Sequence, residues 1–248
     1  MLKKCLACNI PILLFVMGFL VFQPKTISGR DSWKDWEFNF DGSVGCPAFP
    51  LMKHDVGMSV DAQGVMTLTA NTGHIPGMFL NGIGGKSHTF VDDSVYIYSG
   101  SFRVPIGAQN EHISANIQFV EGSVEHHLEF FYTPSLLSPL AGWVWTRYDL
   151  DKPVKLFWMG FDNNWHDFKM IAYYKSNPKR RLAHSIAIDG KTFLLDKTMG
   201  TNPKEWKESF MTLVETHNTY TNCDSALTFV GKSEWRNVRL ERSSLEGQ

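Results

Sequence analysis

Short runs of alternating apolar and polar residues, closed by Gly, Pro, Asn or Asp, recur along this 248-residue chain. A period of two marks a strand with one face in a core and the other in solvent. The spacing predicts strands at Trp36–Phe40, Val65–Ala70, Tyr96–Val104, His112–Val120, Ser123–Tyr132, Asp167–Tyr174, His184–Ile188, Phe210–Glu215, Ala226–Val230 and Trp235–Glu241. Asp41-Gly42, Asp61 to Gly64, Glu121-Gly122 and Asp189-Gly190 supply turn chemistry between them. Asp167–Tyr174 and His184–Ile188 are expected to pair. Thr201–Lys207 has room for one helical turn, and Pro134–Trp145 reads as a loop over one face. Some ten short strands separated by turns, with few helix-period segments, predict an all-β sandwich of two antiparallel sheets.

The start of the chain has a different composition. Lys3 and Lys4 precede an almost wholly apolar stretch from Cys5 to Phe22, and small residues follow at Thr26 to Gly29. Residues 1–29 are therefore expected to be a signal peptide or, if uncleaved, an N-terminal membrane anchor. Either reading makes residues 30–248 a secreted or extracytoplasmic domain, and confines any membrane contact to the leader. Residues 1–29 hold three lysines and no acid, so the remainder has 21 basic and 25 acidic side chains, a net charge of −4. That balance gives no electrostatic reason to bind nucleic acid. It suits a neutral partner such as a polysaccharide, and a monomer is expected. Outside the leader only Cys46 and Cys223 remain. In an exported chain they can pair as a disulfide, or stay as two buried thiols. The histidines lack ligand spacing, so neither a metal nor another cofactor is expected.

Glu125-His126-His127-Leu128-Glu129 lies in the Ser123–Tyr132 run. On a strand Glu125, His127 and Glu129 share one face, and His126, Leu128 and Phe130 the other. Two carboxylates on one face are what a retaining glycosidase uses. Trp143 and Trp145 share a face if their segment is extended, and could stack on sugar rings. Arg103 is expected beside the cleft strand, where it could reach a sugar hydroxyl or form a surface ion pair. Trp158, Trp165 and His166 read as structural residues, and Lys179-Arg180-Arg181 as a solvated hairpin tip.

The order of these elements resembles family 16 glycoside hydrolases. Tyr96–Val104 resembles their aromatic-Gly-x-Phe-x-x-Arg strand, and Glu125 to Phe130 stands where their Glu-x-Asp-x-Glu strand follows. Asn164 to Phe168, His184 to Gly190 and Ser233 to Leu240 are similar to three later strands of that family. The resemblance covers residues 36–241. It implies a concanavalin A-like jelly roll with a substrate cleft on one sheet, Glu125 as nucleophile and Glu129 as acid/base. His127 replaces the middle Asp of the motif, and Arg236 stands about where many members carry an Asp for a structural calcium, so no calcium is implied.

Protonated, His127 would pull the pKa of both glutamates down and weaken Glu129 as an acid. Neutral, it could donate one hydrogen bond to Glu125. The resemblance thus implies an exported retaining glycoside hydrolase or transglycosylase of β-linked glucan or galactan, with reduced activity confined to pH values above the His pKa. The alternative on the same fold is a carbohydrate-binding or surface-recognition domain without catalysis. A polysaccharide lyase using His and Tyr is a third reading, for which the sequence offers no basic cluster to hold a uronate.

Overall fold

A computed structural model describes residues 33–44, 55–72, 78–108, 110, 112–134, 141–149, 153–219 and 229–245. Residues 1–29, Cys46 and Cys223 lie outside the described residues. The strands are β1 (Glu37–Val44), β2 (Asp55–Val60), β3 (Met66–Thr72), β4 (Met78–Thr89), β5 (Ser94–Arg103), β6 (His112–Glu121), β7 (Val124–Tyr132), β8 (Trp143–Asp149), β9 (Val154–Trp158), β10 (His166–Ser176), β11 (Lys179–Ile188), β12 (Lys191–Thr198), β13 (Trp206–Thr219) and β14 (Phe229–Ser244). They form two seven-stranded sheets, in the orders β1-β4-β13-β6-β7-β8-β9 and β12-β11-β10-β5-β14-β3-β2. Every pairing is antiparallel. Sequence neighbours such as β4 and β5, β5 and β6, or β13 and β14 lie in opposite sheets. The chain therefore crosses repeatedly between two layers, as in a jelly-roll sandwich.

Side chains from both inner faces close the core. Phe130 of β7 meets Phe102 of β5 and Phe168 of β10, each with ring centroids 5.3 Å apart. The Tyr98 hydroxyl donates to the Leu213 carbonyl of the facing sheet at 3.1 Å. Trp235 is fully buried beneath them. Two hairpins show why the local sequence folds this way. Gly122 has φ 58 at the first position of the two-residue connection from β6 to β7, where a type II′ turn needs glycine. Asp189 and Gly190, with φ 48 and 77, make the type I′ connection from β11 to β12. The expected pairing of Asp167–Tyr174 with His184–Ile188 is the β10–β11 ladder, which sets Phe168 opposite Ile188.

Several expectations are corrected. Asp41-Gly42 does not turn; β1 runs through it, pairing Asp41 with Asn81 and Gly42 with Leu80. Trp143 to Trp145 is the start of strand β8 rather than loop. Thr201 to Glu205 is a turn, and β13 begins at Trp206. Arg181 is not solvated at a hairpin tip. Its guanidinium lies over Phe90, Phe119 and Trp206, 4.0–4.5 Å from the ring centres, because alternation along β11 turns it inward. Trp158 is not a core residue; it is 58% exposed and lies over Gly142 and Gly160.

Candidate functional site

β7 lies between β6 and β8 in the first sheet. Leu128, Phe130 and Tyr132 enter the core, so Glu125, His127, Glu129 and Phe131 turn to the sheet's outer face. There they line an open groove of about 880 Å³, together with Asn116 and Gln118 of β6, Arg147 of β8 and Glu215 and His217 of β13. The ladders make this a lattice of neighbours. Glu129 stands between Asn116 and Arg147, and Phe131 between Ser114 and Trp145. Ser114 in turn faces Glu215. A one-residue slip of β7 would drive the charged face into the core, so the hydrophobic alternation fixes the site.

The two motif glutamates have different surroundings. Glu125 is 60% exposed at the rim, its Oε2 4.0 Å from His127 Nε2. That is too long for the hydrogen bond expected between them. Glu129 is buried, with its Oε2 2.9 Å from Arg147 Nη2. Burial, and next the negative charge of Glu215, push the Glu129 pKa up to about 7; Arg147 only partly offsets this. His127 is held neutral instead of charged: burial and the Arg147 cation lower its pKa to about 4. The anticipated depression of Glu129 by a protonated imidazole is therefore absent at neutral pH.

Glu215 is as deeply placed, at 8% exposure. Asn116 Nδ2 donates to its Oε1 at 2.8 Å, and His217 Nε2 donates to its Oε2 at 2.9 Å. Against the cost of burial, the His217 and Asn116 contacts lower its pKa. The His217 ring stacks on His112, centroids 4.0 Å apart. Glu215, Asn116, Arg147 and His217 are residues that sequence reasoning missed. The available signal was a single acid on the otherwise apolar Met211-Leu213-Glu215 face of a predicted strand.

Trp145 is the ladder neighbour of Phe131 on β8, beside the residues that line the groove. Its ring is parallel to Phe131, 6.2 Å away. Lys155 Nζ lies over Trp143 and Trp145, at 4.4 and 5.2 Å. Asn116 Oδ1, His127 Nδ1, Arg147 Nε and Trp145 Nε1 are buried with no hydrogen-bond partner among the described residues. Arg103 stands apart. It belongs to β5 in the second sheet, donates from Nε to Glu234 Oε2 at 2.7 Å and lies over Trp165. It is the ion pair of the two roles anticipated for it. Trp165 is shared with Arg236, and His166 is held between Asp162 and Asp189 at 2.8 and 2.7 Å. No group of three or more His, Cys, Asp or Glu arranged for a metal occurs among the described residues.

No family model matches this chain, and no curated protein matches it. Among solved structures it is similar to the alginate lyase Aly36B, with a TM-score of 0.48 and 13% identity over 77% of this chain and 88% of that one. It is similar to the lectin UEA-II complexed with galactose, with a TM-score of 0.43 and 12% identity over 85% and 93% of the two chains. For peanut lectin the TM-score is 0.41 and the identity 11%, over 83% and 99%. At these identities the likeness concerns the fold alone.

Proposed function

We propose that this chain is an exported glycoside hydrolase or transglycosylase that cleaves β-linked polysaccharide in the groove, with Glu129 as the proton donor. One observation carries the reading: Glu129 is a buried carboxyl facing an open groove, where burial and the Glu215 charge push its pKa up to about 7. Glycosidic oxygen is a poor leaving group until protonated, and an acid with a pKa near the working pH supplies that proton best. The Phe131 ring in the groove and the Trp145 ring beside it offer apolar faces for sugar rings. Attack at the anomeric carbon needs a second carboxylate, which the family 16 resemblance assigns to Glu125. A second reading, glycan binding without cleavage, is favoured by Arg147, whose guanidinium already occupies Glu129 Oε2.

A reducing-end assay across β-glucans and galactans, from acid to mildly alkaline pH, tests the choice. Cleavage is expected, declining about tenfold per pH unit above 7 as Glu129 loses its proton. Glu129→Gln is expected to abolish it while leaving glycan affinity within a few-fold. Saturable binding with no reducing ends released and no change in polymer chain lengths at any pH would establish the second reading.

A further inference from the structure

We propose that Glu215 of β13, rather than Glu125, is the nucleophile that works with Glu129; this rests on the glycosidase reading above. Glu125 projects at the exposed rim, whereas Glu215 and Glu129 are both buried in the groove floor. In the lattice of the sheet, Glu215 is two strands across from Glu129 and two residues along. Those spacings put the two backbones about 12 Å apart, against about 13 Å for Glu125 and Glu129 on one strand. The span on β7 has His127 in its middle. The span to β13 crosses Asn116, which is the ladder neighbour of Glu129 and hydrogen-bonds Glu215.

Their surroundings divide the roles. Both carboxyls lose hydration, which favours the neutral form. At Glu129 the Arg147 contact only partly offsets burial, whereas at Glu215 the hydrogen bonds donated by Asn116 and His217 outweigh it and hold that carboxyl ionised. Its charge then helps Glu129 keep a proton. In the family motif that influence would come from the Asp whose place His127 takes. The groups facing Glu129 are Arg147 from β8, Asn116 and Ser114 from β6, Glu215 and His217 from β13, and His127 on its own strand. Two acids driven to opposite states beside one groove are the arrangement acid/base pairs use.

The chemistry balances within these groups. A Glu215 oxygen forms a bond to the anomeric carbon as the bond from that carbon to the leaving oxygen breaks. The leaving oxygen takes the Glu129 proton. Water then gives a proton to the Glu129 carboxylate, its oxygen bonds to the anomeric carbon, and Glu215 departs as the free carboxylate. A sugar hydroxyl acceptor in place of water gives transglycosylation.

Two measurements on the exported chain test the assignment. Carboxyl titration by NMR with 13C-labelled glutamate needs no turnover. Glu215→Gln is expected to lower the Glu129 midpoint by about one pH unit or more, while Glu125→Gln leaves it in place. An unmoved midpoint in folded Glu215→Gln overturns the proposal. The second measurement uses 2,4-dinitrophenyl β-cellobioside, or the corresponding glycoside of whichever polymer is cleaved, with sodium azide. Glu215→Ala is expected to lose at least about a thousandfold in rate and to recover with azide, yielding a glycosyl azide of inverted configuration. Recovery of Glu125→Ala instead, or of neither variant, overturns the nucleophile role. Lack of cleavage by the unaltered chain, with the titration coupling intact, overturns the glycosidase reading itself.

Discussion

Glu129 and His127 lie two residues apart on one face, and burial drives both toward the uncharged form, the acid upward to about 7 and the base downward to about 4. For Glu129 this has a stability consequence. Its pKa is raised on folding, so the folded state holds a proton that the unfolded chain has already released. Stability is therefore lost as pH climbs from about 4.5 through 7, by about 3 kcal/mol for a displacement of this size. Glu129→Gln carries no such proton. Its urea midpoint relative to the unaltered protein is expected to improve by a corresponding amount between pH 4.5 and 8. A difference that stays constant with pH would show that Glu129 titrates normally. The parity of Glu125, His127 and Glu129 was legible from alternation alone. The partners that set their charge states were not, because Arg147 and Glu215 lie 18 and 86 residues from Glu129 and meet it only through sheet register.

At the scale of elements, β13 is the strand on which the further assignment depends, and its entry is tied down by Glu121 at the end of β6. The Glu121 carboxylate accepts from Asn202 N at 2.7 Å, Thr201 N at 2.9 Å and Trp206 Nε1 at 3.0 Å. An amide at this position would turn an NH2 toward those donors. Glu121→Gln is expected to cost about 2 kcal/mol, or roughly 4–8 °C in thermal midpoint. A change below about 1 °C would show that the carboxylate does not hold the strand entry. The same sheet shows why some elements were invisible. β4 contains Gly82, Gly84 and Gly85, a composition that argues against a strand. Here the missing side chains are filled from elsewhere. A Cβ on Gly84 would lie 2.7 Å from Phe38 Cε1, and one on Gly85 2.7 Å from Leu213 Cδ2. β8 and β9 were hidden by the Pro- and Gly-marked stretch before them, although Trp143, Trp145 and Arg147 alternate as a strand should.

Across the whole molecule, three histidines among the described residues resist protonation. Burial lowers His88 and His127 to about 4, with added repulsion from Lys86 and Arg147 respectively, and lowers His112 well below its ordinary value. A depressed His contributes stability that is complete above about 6.5 and lost as pH falls toward its folded pKa. His166 acts oppositely, because Asp189 and Asp162 overcome its burial and raise it. Near pH 5 His166 is protonated in both states, so the balance is uptake by the three rings less the proton that Glu129 releases, about two protons, and the urea midpoint is expected to fall between pH 6.5 and 4. A flat profile there would mean that these rings are hydrated. The sandwich itself was readable because hydrophobic alternation and turn residues agree at most positions. The groove's extent follows from something no single strand contains. Its lining reaches from Glu37 on β1 to Arg147 on β8, six adjacent strands, a breadth of about 24 Å. Under the proposed function, several consecutive pyranose units would rest on such a span together, so that a polymer is gripped midway along its length with both termini outside.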